Sequence, residues 1–300
     1  MRILLTGGTG LIGRALCAHW QAQGHELWVW SRKPQQVAKR CSGARGIKKL
    51  EEWDGTAPFD AVVNLAGAPI ADRPWTQARR DVLWRSRVDL TRTLVDWMAK
   101  QPTPPRVLLS GSAVGWYGDQ GEKLLDEASA RGLADFGSQL CHAWEEEANR
   151  AQKLGVRVVI LRTAPVLAPK GGMLARLLPP FRLGLGGRIG SGQQWMPWIH
   201  IADQVALMDH LLQNESWVGV YNACAPGAVR NVEFTRALAG ALKRPAVLPV
   251  PAFALRLALG EMSVLLLGGQ HLAPRRAQDA GFSWRYPNLD GALRQLLHKP

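Results

Sequence analysis

A glycine-rich turn near the start of the chain constrains the fold more than any other feature. Residues 2–6 read RILLT, an apolar run of strand length, and residues 11–24 have a helical pattern. TGGTGLIG joins them and supplies Gly7, Gly10 and Gly13. Such glycines allow a tight turn, a close approach to a pyrophosphate and close packing of helix on strand. The helix amino terminus adds free N–H groups, so the turn predicts a dinucleotide site; the alternative is a tight turn without a ligand.

Short apolar runs alternate with longer helical stretches through the first half of the chain. The further strand candidates are residues 25–32, 60–67, 106–113, 156–163 and 217–224, and the long helices are 76–100 and 138–154. This alternation predicts a parallel sheet covered on both faces. After residue 165 come a segment rich in Gly and Pro at 169–198 and helices at 231–242, 252–267 and 288–298.

The predicted fold class is therefore α/β: a Rossmann doubly wound parallel sheet with a smaller C-terminal substrate lobe. The sheet domain is expected to comprise residues 1–166 plus 199–225. The lobe is expected to comprise residues 167–198 plus 226–300.

The charge balance is strongly basic, with a net charge of +13. One interpretation is a nucleic-acid binder, and the other is a basic surface that partly serves a phosphate-bearing ligand. No basic run is long, and neither a zinc-finger spacing nor an RNA-binding aromatic motif is present. We therefore expect no nucleic-acid partner and a small-molecule substrate instead.

The most apolar segment is AFALRLALGEMSVLLLG at 252–268, but Arg256 and Glu261 interrupt it. A membrane span needs about 20 nearly uncharged residues, so we predict a buried helix of the smaller lobe and no membrane partner. The four cysteines are scattered without a CxxC pair. This spacing predicts reduced thiols in a cytoplasmic protein and no metal site.

The end of the second strand indicates which dinucleotide binds. That strand ends in Ser31-Arg32-Lys33, and no Asp or Glu occurs from 27 to 50. NAD(H) sites commonly carry an acidic residue here, whereas Ser31 and the Arg32 guanidinium suit a 2′-phosphate. The cofactor is predicted to be NADP(H). The alternative is that Arg32 and Lys33 are ordinary surface charges.

These motifs together resemble the extended short-chain dehydrogenase/reductases, that is, the NAD(P)-dependent epimerase/dehydratase family. The resemblance rests on TGGTGLIG, NLAG at 64–67, LLSGSAVGWYG, LRTAPVLAP and GSGQQWMPWIHIADQ. The similarity is greatest to the branch named epimerase family proteins, of the YfcH type. It implies a homodimer formed through helices 76–100 and 138–154.

The resemblance also assigns cofactor contacts, residue by residue. Gly7, Gly10, Leu11 and Ile12 would touch the pyrophosphate, and Ser31 and Arg32 the 2′-phosphate. Asp54 would lie near adenine, and Leu65, Ala66 and Gly67 near the ribose. Arg85 is a further candidate for the cofactor phosphates. Ser112 stands where relatives place a catalytic hydroxyl.

One part of the family pattern is missing. Relatives use Tyr-x-x-x-Lys on one helix face, where the lysine favours tyrosinate for proton transfer. Here the three tyrosines are followed, four residues on, by Gly, Ala and Asp. Aligning Glu145 with the acid after the motif puts Gly137 at the Tyr position and Cys141 at the Lys position; a shift by one residue brings in Phe136.

Three residues are candidates for the missing chemistry. They are Ser112, Tyr117 and Cys141, although Tyr117 could be a loop aromatic and Cys141 a small buried helix residue. His200 and Asp203 are interpreted as a hydrogen-bonded pair at a hinge between the lobes. The predicted function is an NADP(H)-dependent oxidoreductase or epimerase-like enzyme for a small substrate that could be phosphorylated or nucleotide-linked. The alternative is a non-catalytic NADP(H)-binding redox sensor or interaction module.

Overall fold

The computed structural model describes residues 1–53, 57–132 and 135–297. The strands, in chain order, are β1 Arg2–Thr6, β2 Glu26–Trp30, β3 Arg45–Ile47, β4 Ala61–Asn64, β5 Val107–Ala113, β6 Leu124–Leu125, β7 Arg157–Thr163, β8 Val166–Leu167, β9 Trp195–Met196, β10 Ile199–His200, β11 Gly219–Ala223, β12 Val229–Arg230 and β13 His271–Leu272.

The α-helices, in chain order, are α1 Leu11–Ala22, α2 Val37–Arg40, α3 Gln77–Trp84, α4 Leu90–Ala99, α5 Phe136–Asn149, α6 Gly172–Arg182, α7 Ile201–Gln213, α8 Asn231–Leu242, α9 Ala252–Leu259, α10 Val264–Leu267, α11 Arg275–Asp279 and α12 Leu289–Leu297. Short 3₁₀ turns occupy Pro34–Gln36, Leu50–Glu52, Val114–Tyr117, Arg150–Leu154 and Gly260–Ser263.

A seven-stranded parallel sheet forms the centre of the protein, in the order β11-β7-β5-β4-β1-β2-β3. The chain builds outward from β1 to β3 on one side and from β4 to β11 on the other. The order in which the chain adds strands therefore reverses between β1 and β4, and this reversal opens a crevice at the carboxyl ends of these two strands. The predicted α/β Rossmann class is confirmed.

Alternate side chains of the strands enter two cores, one on each face of the sheet. Ile3 and Leu5 pack with residues of α1 and α7, whereas Leu4 packs with residues of α4 and the 3₁₀ turn after α5. Because both faces are covered, the strands are almost uniformly apolar, as in other parallel sheets.

The helix predicted at 76–100 is continuous but not uniform. Between α3 and α4, residues Arg85–Asp89 form a π-helical turn, which adds a residue to that turn. The Thr76 side chain caps the amino end of α3 by accepting from the Arg79 amide. The Asp135 side chain likewise caps α5.

A third core lies in the C-terminal part of the chain, between α6, α8 and α12. Its larger members are Leu174, Phe181, Trp198, Phe234 and Leu293. Helix α6 lies inside the segment rich in Gly and Pro, with Pro179 and Pro180 in its carboxyl-terminal half. The sequence pattern did not predict this helix.

The prediction of a buried helix over 252–267 was wrong. Helix α9 contains no buried residue, and Phe253 and Leu257 are 72% and 88% exposed. Gly260, at a φ of 56°, interrupts the segment, which packs against a core near this break, through Leu259, Met262 and Val264. The high apolar content of residues 252–267 therefore does not mean that another element covers the outer face of α9. Within the described ranges, none of the helices combines the length and apolar character that crossing a bilayer requires.

Candidate cofactor and active site

The glycine turn lies at the carboxyl end of β1, where the strand order reverses. Gly7 has a φ of 70°, and a Cβ there would stand 2.6 Å from the Leu65 carbonyl carbon. A Cβ at Gly13 would stand 2.4 Å from the Gly7 carbonyl oxygen, so this glycine lets α1 pack on the turn. At Gly10 a Cβ would meet only that same oxygen within 4 Å, at 3.2 Å, so its outer side is open.

The amino end of α1 keeps its backbone donors. Among the described residues, no side chain accepts a hydrogen bond at this end, and the preceding residue is Gly10. The first N–H groups of a helix have no partner within the helix, and they carry a partial positive charge. The N–H groups of Leu11 and Ile12 therefore remain free of a side-chain cap beside the open face of Gly10, an arrangement that suits an anion.

Thr6 ties the glycine turn to the segment after β4. Its hydroxyl donates to the Asn64 side-chain oxygen at 2.7 Å and accepts from the amides of Leu65 and Ala66 at 3.1 and 3.0 Å. The Asn64 amide in turn donates to Thr91 at 2.7 Å. These buried bonds fix the 65–67 segment directly against Gly7, so the two predicted parts of the cofactor site are brought together.

Ser31 and Arg32 stand at the carboxyl end of β2, next to β1 in the sheet. The Ser31 hydroxyl accepts from the Lys33 amide at 3.2 Å, while Arg32 and Lys33 are exposed. The absence of acidic residues from 27 to 50 leaves this corner basic. Its chemistry fits a phosphate better than a ribose 2′-hydroxyl.

Two arginines of the π-helical turn differ in their exposure and in their hydrogen-bond partners. Arg85 is exposed and donates to the Asp81 carbonyl oxygen of its own helix, at 3.3 Å. Arg87 donates to the Ala68 carbonyl oxygen at 2.9 Å, and a Cβ at Gly67 would approach its guanidinium to 2.9 Å. Burial lowers the pKa of Arg87 to about 10. Of these two arginines, only Arg85 was predicted from the sequence as a candidate for the cofactor phosphates. Asp54 lies outside the described residues.

Ser112 joins a buried charge cluster beyond the end of β4. Its hydroxyl donates to Glu145 Oε1 at 2.6 Å, and Arg162 donates to both carboxylate oxygens at 2.9 Å. Burial acts to lower the pKa of Arg162, but its bonds to Glu145 outweigh this effect and raise it. The Arg162 guanidinium also lies 3.3 Å from the Trp116 ring centre. In the sequence, the feature that could have indicated this buried ion pair was Arg162, a charged residue in the apolar run VVILRT.

The other two catalytic candidates are buried. Tyr117 is 0% exposed, and its hydroxyl donates to the Asn222 side-chain oxygen at 2.8 Å. Burial raises the pKa of Tyr117 to about 12. The Cys141 thiol, whose pKa is raised to about 12 by burial and by the Glu145 charge, faces Ser112.

His200 and Asp203 do not form the predicted pair with each other. His200 bonds to Gln295 at 2.9 Å, whereas the carboxylate of Asp203 accepts from the amides of Arg285 and Tyr286. Both residues lie on elements that pack against the C-terminal segment, and so each finds its partner there. They fasten this segment separately rather than as one unit.

Residues 3–224 match the model of the NAD dependent epimerase/dehydratase family. The chain belongs to this family. Residues 250–296 match a second model, the domain of unknown function DUF1731. The predicted family resemblance is confirmed.

Relatives of known name span the whole chain. Epimerase family protein SDR39U1 of Bos taurus is 39% identical and covers 99% of this chain and 100% of its own length. Its chloroplastic homologue in Arabidopsis thaliana is 40% identical and covers 99% of this chain and 87% of its own length.

Solved structures agree with the fold. The crystal structure of human SDR39U1 with NADPH matches with a TM-score of 0.90 and 36% identity, and it covers 100% of both chains. A nucleoside-diphosphate sugar epimerase from Corynebacterium glutamicum matches with a TM-score of 0.76 and 29% identity, and it covers 99% of this chain and 58% of its own.

Helix α5, where the resemblance led us to expect the Tyr-x-x-x-Lys motif, contains no tyrosine. A Cβ at Gly137 would lie 3.6 Å from Cη2 of Trp75. The ring of Phe136 packs edge-on against Trp75, with centres 5.2 Å apart. An apolar aromatic pair therefore stands beside Gly137, the position at which the alignment on Glu145 led us to expect the tyrosine.

Proposed function

We propose that this epimerase-family protein binds NADP(H) and transfers hydride to or from a small substrate, including phosphorylated or nucleotide-linked compounds. The backbone of the glycine turn and of α1 would hold the pyrophosphate. The residues proposed to hold the cofactor are Gly7, Gly10, Leu11, Ile12, Gly13, Ser31, Arg32, Leu65, Ala66 and Gly67. Arg87 would support the 65–68 segment from behind.

Three observations support this cofactor. The open face of Gly10 and the uncapped end of α1 leave space and donors for a pyrophosphate. The corner at Ser31 and Arg32 has positive charge without an acid. The human relative was crystallised with NADPH, in agreement with the cofactor predicted here from the sequence.

The bond from Ser112 to Glu145 carries the catalytic part of the proposal. When bound, the nicotinamide supplies the hydride chemistry. Proton transfer must then come from the chain. Because Ser112 donates to a carboxylate at 2.6 Å, its oxygen can take a proton from a substrate hydroxyl while its own proton moves to Glu145. Arg162 holds that carboxylate in place through two bonds.

The test is NADPH oxidation, followed by absorbance, with a panel of sugar-nucleotide and simple carbonyl compounds. For a substrate that turns over, Ser112→Ala is expected to lower kcat about 100-fold or more, with NADPH affinity unchanged. Ser110→Ala is the matched control, because Ser110 is a buried serine of the same strand that faces Asn64. Equal rates for both variants would contradict the role of Ser112.

A second candidate function is a non-catalytic NADP(H)-binding redox sensor or interaction module. The burial of Tyr117 and Cys141, each with a pKa raised to about 12, favours it, since neither group is available for proton transfer near neutral pH. Tight NADPH binding without turnover on any compound of the panel would favour this candidate over the enzyme.

The proposal retains three expectations about organisation. The sheet domain would comprise 1–166 plus 199–225 and the substrate lobe 167–198 plus 226–300, which the separate C-terminal core supports. A homodimer would form through α3, α4 and α5, and the half-exposed Trp84 on α3 supports it. Light scattering of the wild type and of Trp84→Glu tests the dimer. The four buried thiols suit a reducing compartment such as the cytoplasm.

A further inference from the structure

An exposed apolar patch covers one side of the C-terminal part of the protein. Its members are Leu183, Leu185, Val247, Leu248, Phe253 and Leu257. Leu183 and Val247 are each 74% exposed, similar to Phe253. Isolated exposed apolar residues are common on protein surfaces, but a cluster of them marks an interaction site.

Backbone contacts place the two loops that carry this patch side by side. The loop after α6 runs beside the loop before α9: the Leu248 amide donates to the Gly186 carbonyl oxygen at 3.1 Å, and the Val250 amide to that of Arg188 at 2.9 Å. Helix α9 begins two residues after Val250. Within it, Phe253 and Leu257 stand four residues apart and therefore share one face.

The charged residues in the two segments that carry the patch are all cations. Arg182, Lys243, Arg244 and Arg256 are exposed and lie within the same segments. No Asp or Glu occurs from 171 to 202 or from 234 to 260. Within the described ranges, none of these four cations forms an ion pair. The next acid along the chain, Glu261, is paired with Arg80. The partner must therefore accept apolar side chains and supply negative charge.

We propose that the patch docks on an anionic lipid membrane, with α9 lying along the surface and the cations against the headgroups. A second copy of this chain is a poor partner, because a two-fold interface would bring the same four cations face to face. Side chains that are about three-quarters exposed or more stand out from the surface rather than line a groove, and such side chains suit insertion between lipids. This is peripheral binding, so it needs no membrane-spanning helix.

The probe is a pair of vesicle preparations: phosphatidylcholine alone, and phosphatidylcholine with about one third phosphatidylglycerol. In co-sedimentation, the full-length protein is expected to bind only the second, and to be released between roughly 0.1 and 0.5 M salt. The double variant Phe253→Ser/Leu257→Ser should lose about tenfold in affinity per side chain. Lys243→Gln and Arg244→Gln should each lose about fivefold.

Matched controls are Val218→Ser, at an exposed valine before β11, and Lys153→Gln, at an exposed lysine after α5. Both should bind vesicles as the wild type does, and all variants should keep NADPH affinity and melting temperature. The two charge variants keep the test valid if the apolar variant fails to fold.

Several results would overturn the proposal. One is no sedimentation with the anionic vesicles, and another is equal binding by the patch and control variants. A wild-type dimer that becomes a monomer in Phe253→Ser/Leu257→Ser would assign the patch to a second copy. Patch-dependent retention on polyglutamate without vesicle binding would assign it to an acidic protein.

Discussion

Replacing Glu145 by leucine is expected to destabilise the protein strongly, because it leaves a buried cation without its partner. Glu145 and Arg162 are 6% and 4% exposed, and the carboxylate accepts three hydrogen bonds. Leucine removes every acceptor at once, so the guanidinium and the Ser112 hydroxyl both lose a partner that water cannot readily replace.

The magnitude follows from this burial. Breaking a buried ion pair by removing one partner costs about 3–5 kcal/mol. For 300 residues, an unfolding entropy of about 2.1 cal/mol/K per residue amounts to about 0.6 kcal/mol/K. Glu145→Leu should therefore lower Tm by about 5–8 °C. Glu145→Gln should cost less, about 1–3 kcal/mol, since its amide oxygen still accepts.

Thermal and urea unfolding of a double-mutant cycle test this reasoning. Arg162→Met should also destabilise, whereas Glu145→Leu/Arg162→Met should recover much of the loss, because no unpaired charge remains. The control is Glu146→Leu on the same helix, where the side chain is 66% exposed and lies 3.5 Å from His142 Nε2. A Tm change below about 1.5 °C for Glu145→Leu, or strict additivity in the cycle, would refute the account.

Three further predictions concern the cofactor site and its surroundings. Arg32→Ala should weaken NADPH binding about 10- to 100-fold and leave NADH binding nearly unchanged by calorimetry, since a charge-assisted bond to the 2′-phosphate is lost. Gly10→Ala should leave Tm unchanged but lower NADPH affinity at least about tenfold. Gly13→Ala places a Cβ 2.4 Å from the Gly7 carbonyl oxygen, so this overpacking should lower the free energy of unfolding by about 1–3 kcal/mol and lower Tm accordingly. A lower Tm for Gly10→Ala with an unchanged Tm for Gly13→Ala would contradict the packing described. Cys141, with its pKa raised to about 12, should resist iodoacetamide in the folded protein at about pH 8 and react after unfolding, as followed by mass spectrometry.

The sheet was predictable because burial on both faces imposes its own signature. Strand β5 reads VLLSGSA and β7 reads VVILRT after Arg157, and such runs fit only a sheet covered by helices. The glycine turn was equally recognisable, since the tight turn favours glycine at Gly7, close packing requires it at Gly13, and Gly10 leaves its outer side open. Both signals are local, and a single segment is enough to show them.

The parts that escaped prediction depend on distant neighbours. The ion pair of Glu145 was not predicted, because its partner Arg162 is seventeen residues away on a strand. In the sequence, Glu145 was used only to align α5 with the family motif. The apolar segment beginning at Ala252 was expected to be buried, but composition does not say whether another element covers it. Helix α6 was not recognised because Gly171, Gly172 and two prolines are typical of loops, although Pro179 and Pro180 lie inside the helix.

The π-helical turn at Arg85–Asp89 also controls how the long helix can change in evolution. A π turn usually marks one residue inserted into an α-helix, and each residue of an α-helix turns the chain by about 100°. Because the π turn already absorbs the extra residue, deleting one residue here would restore a regular α-helical turn and leave the helix on either side nearly in register, but it would move the residues of the turn itself. Arg87, which lies inside this turn, would then move away from the Ala68 carbonyl oxygen although the residue itself is unchanged. A length change that looks conservative in an alignment would thus dismantle the support behind Gly67.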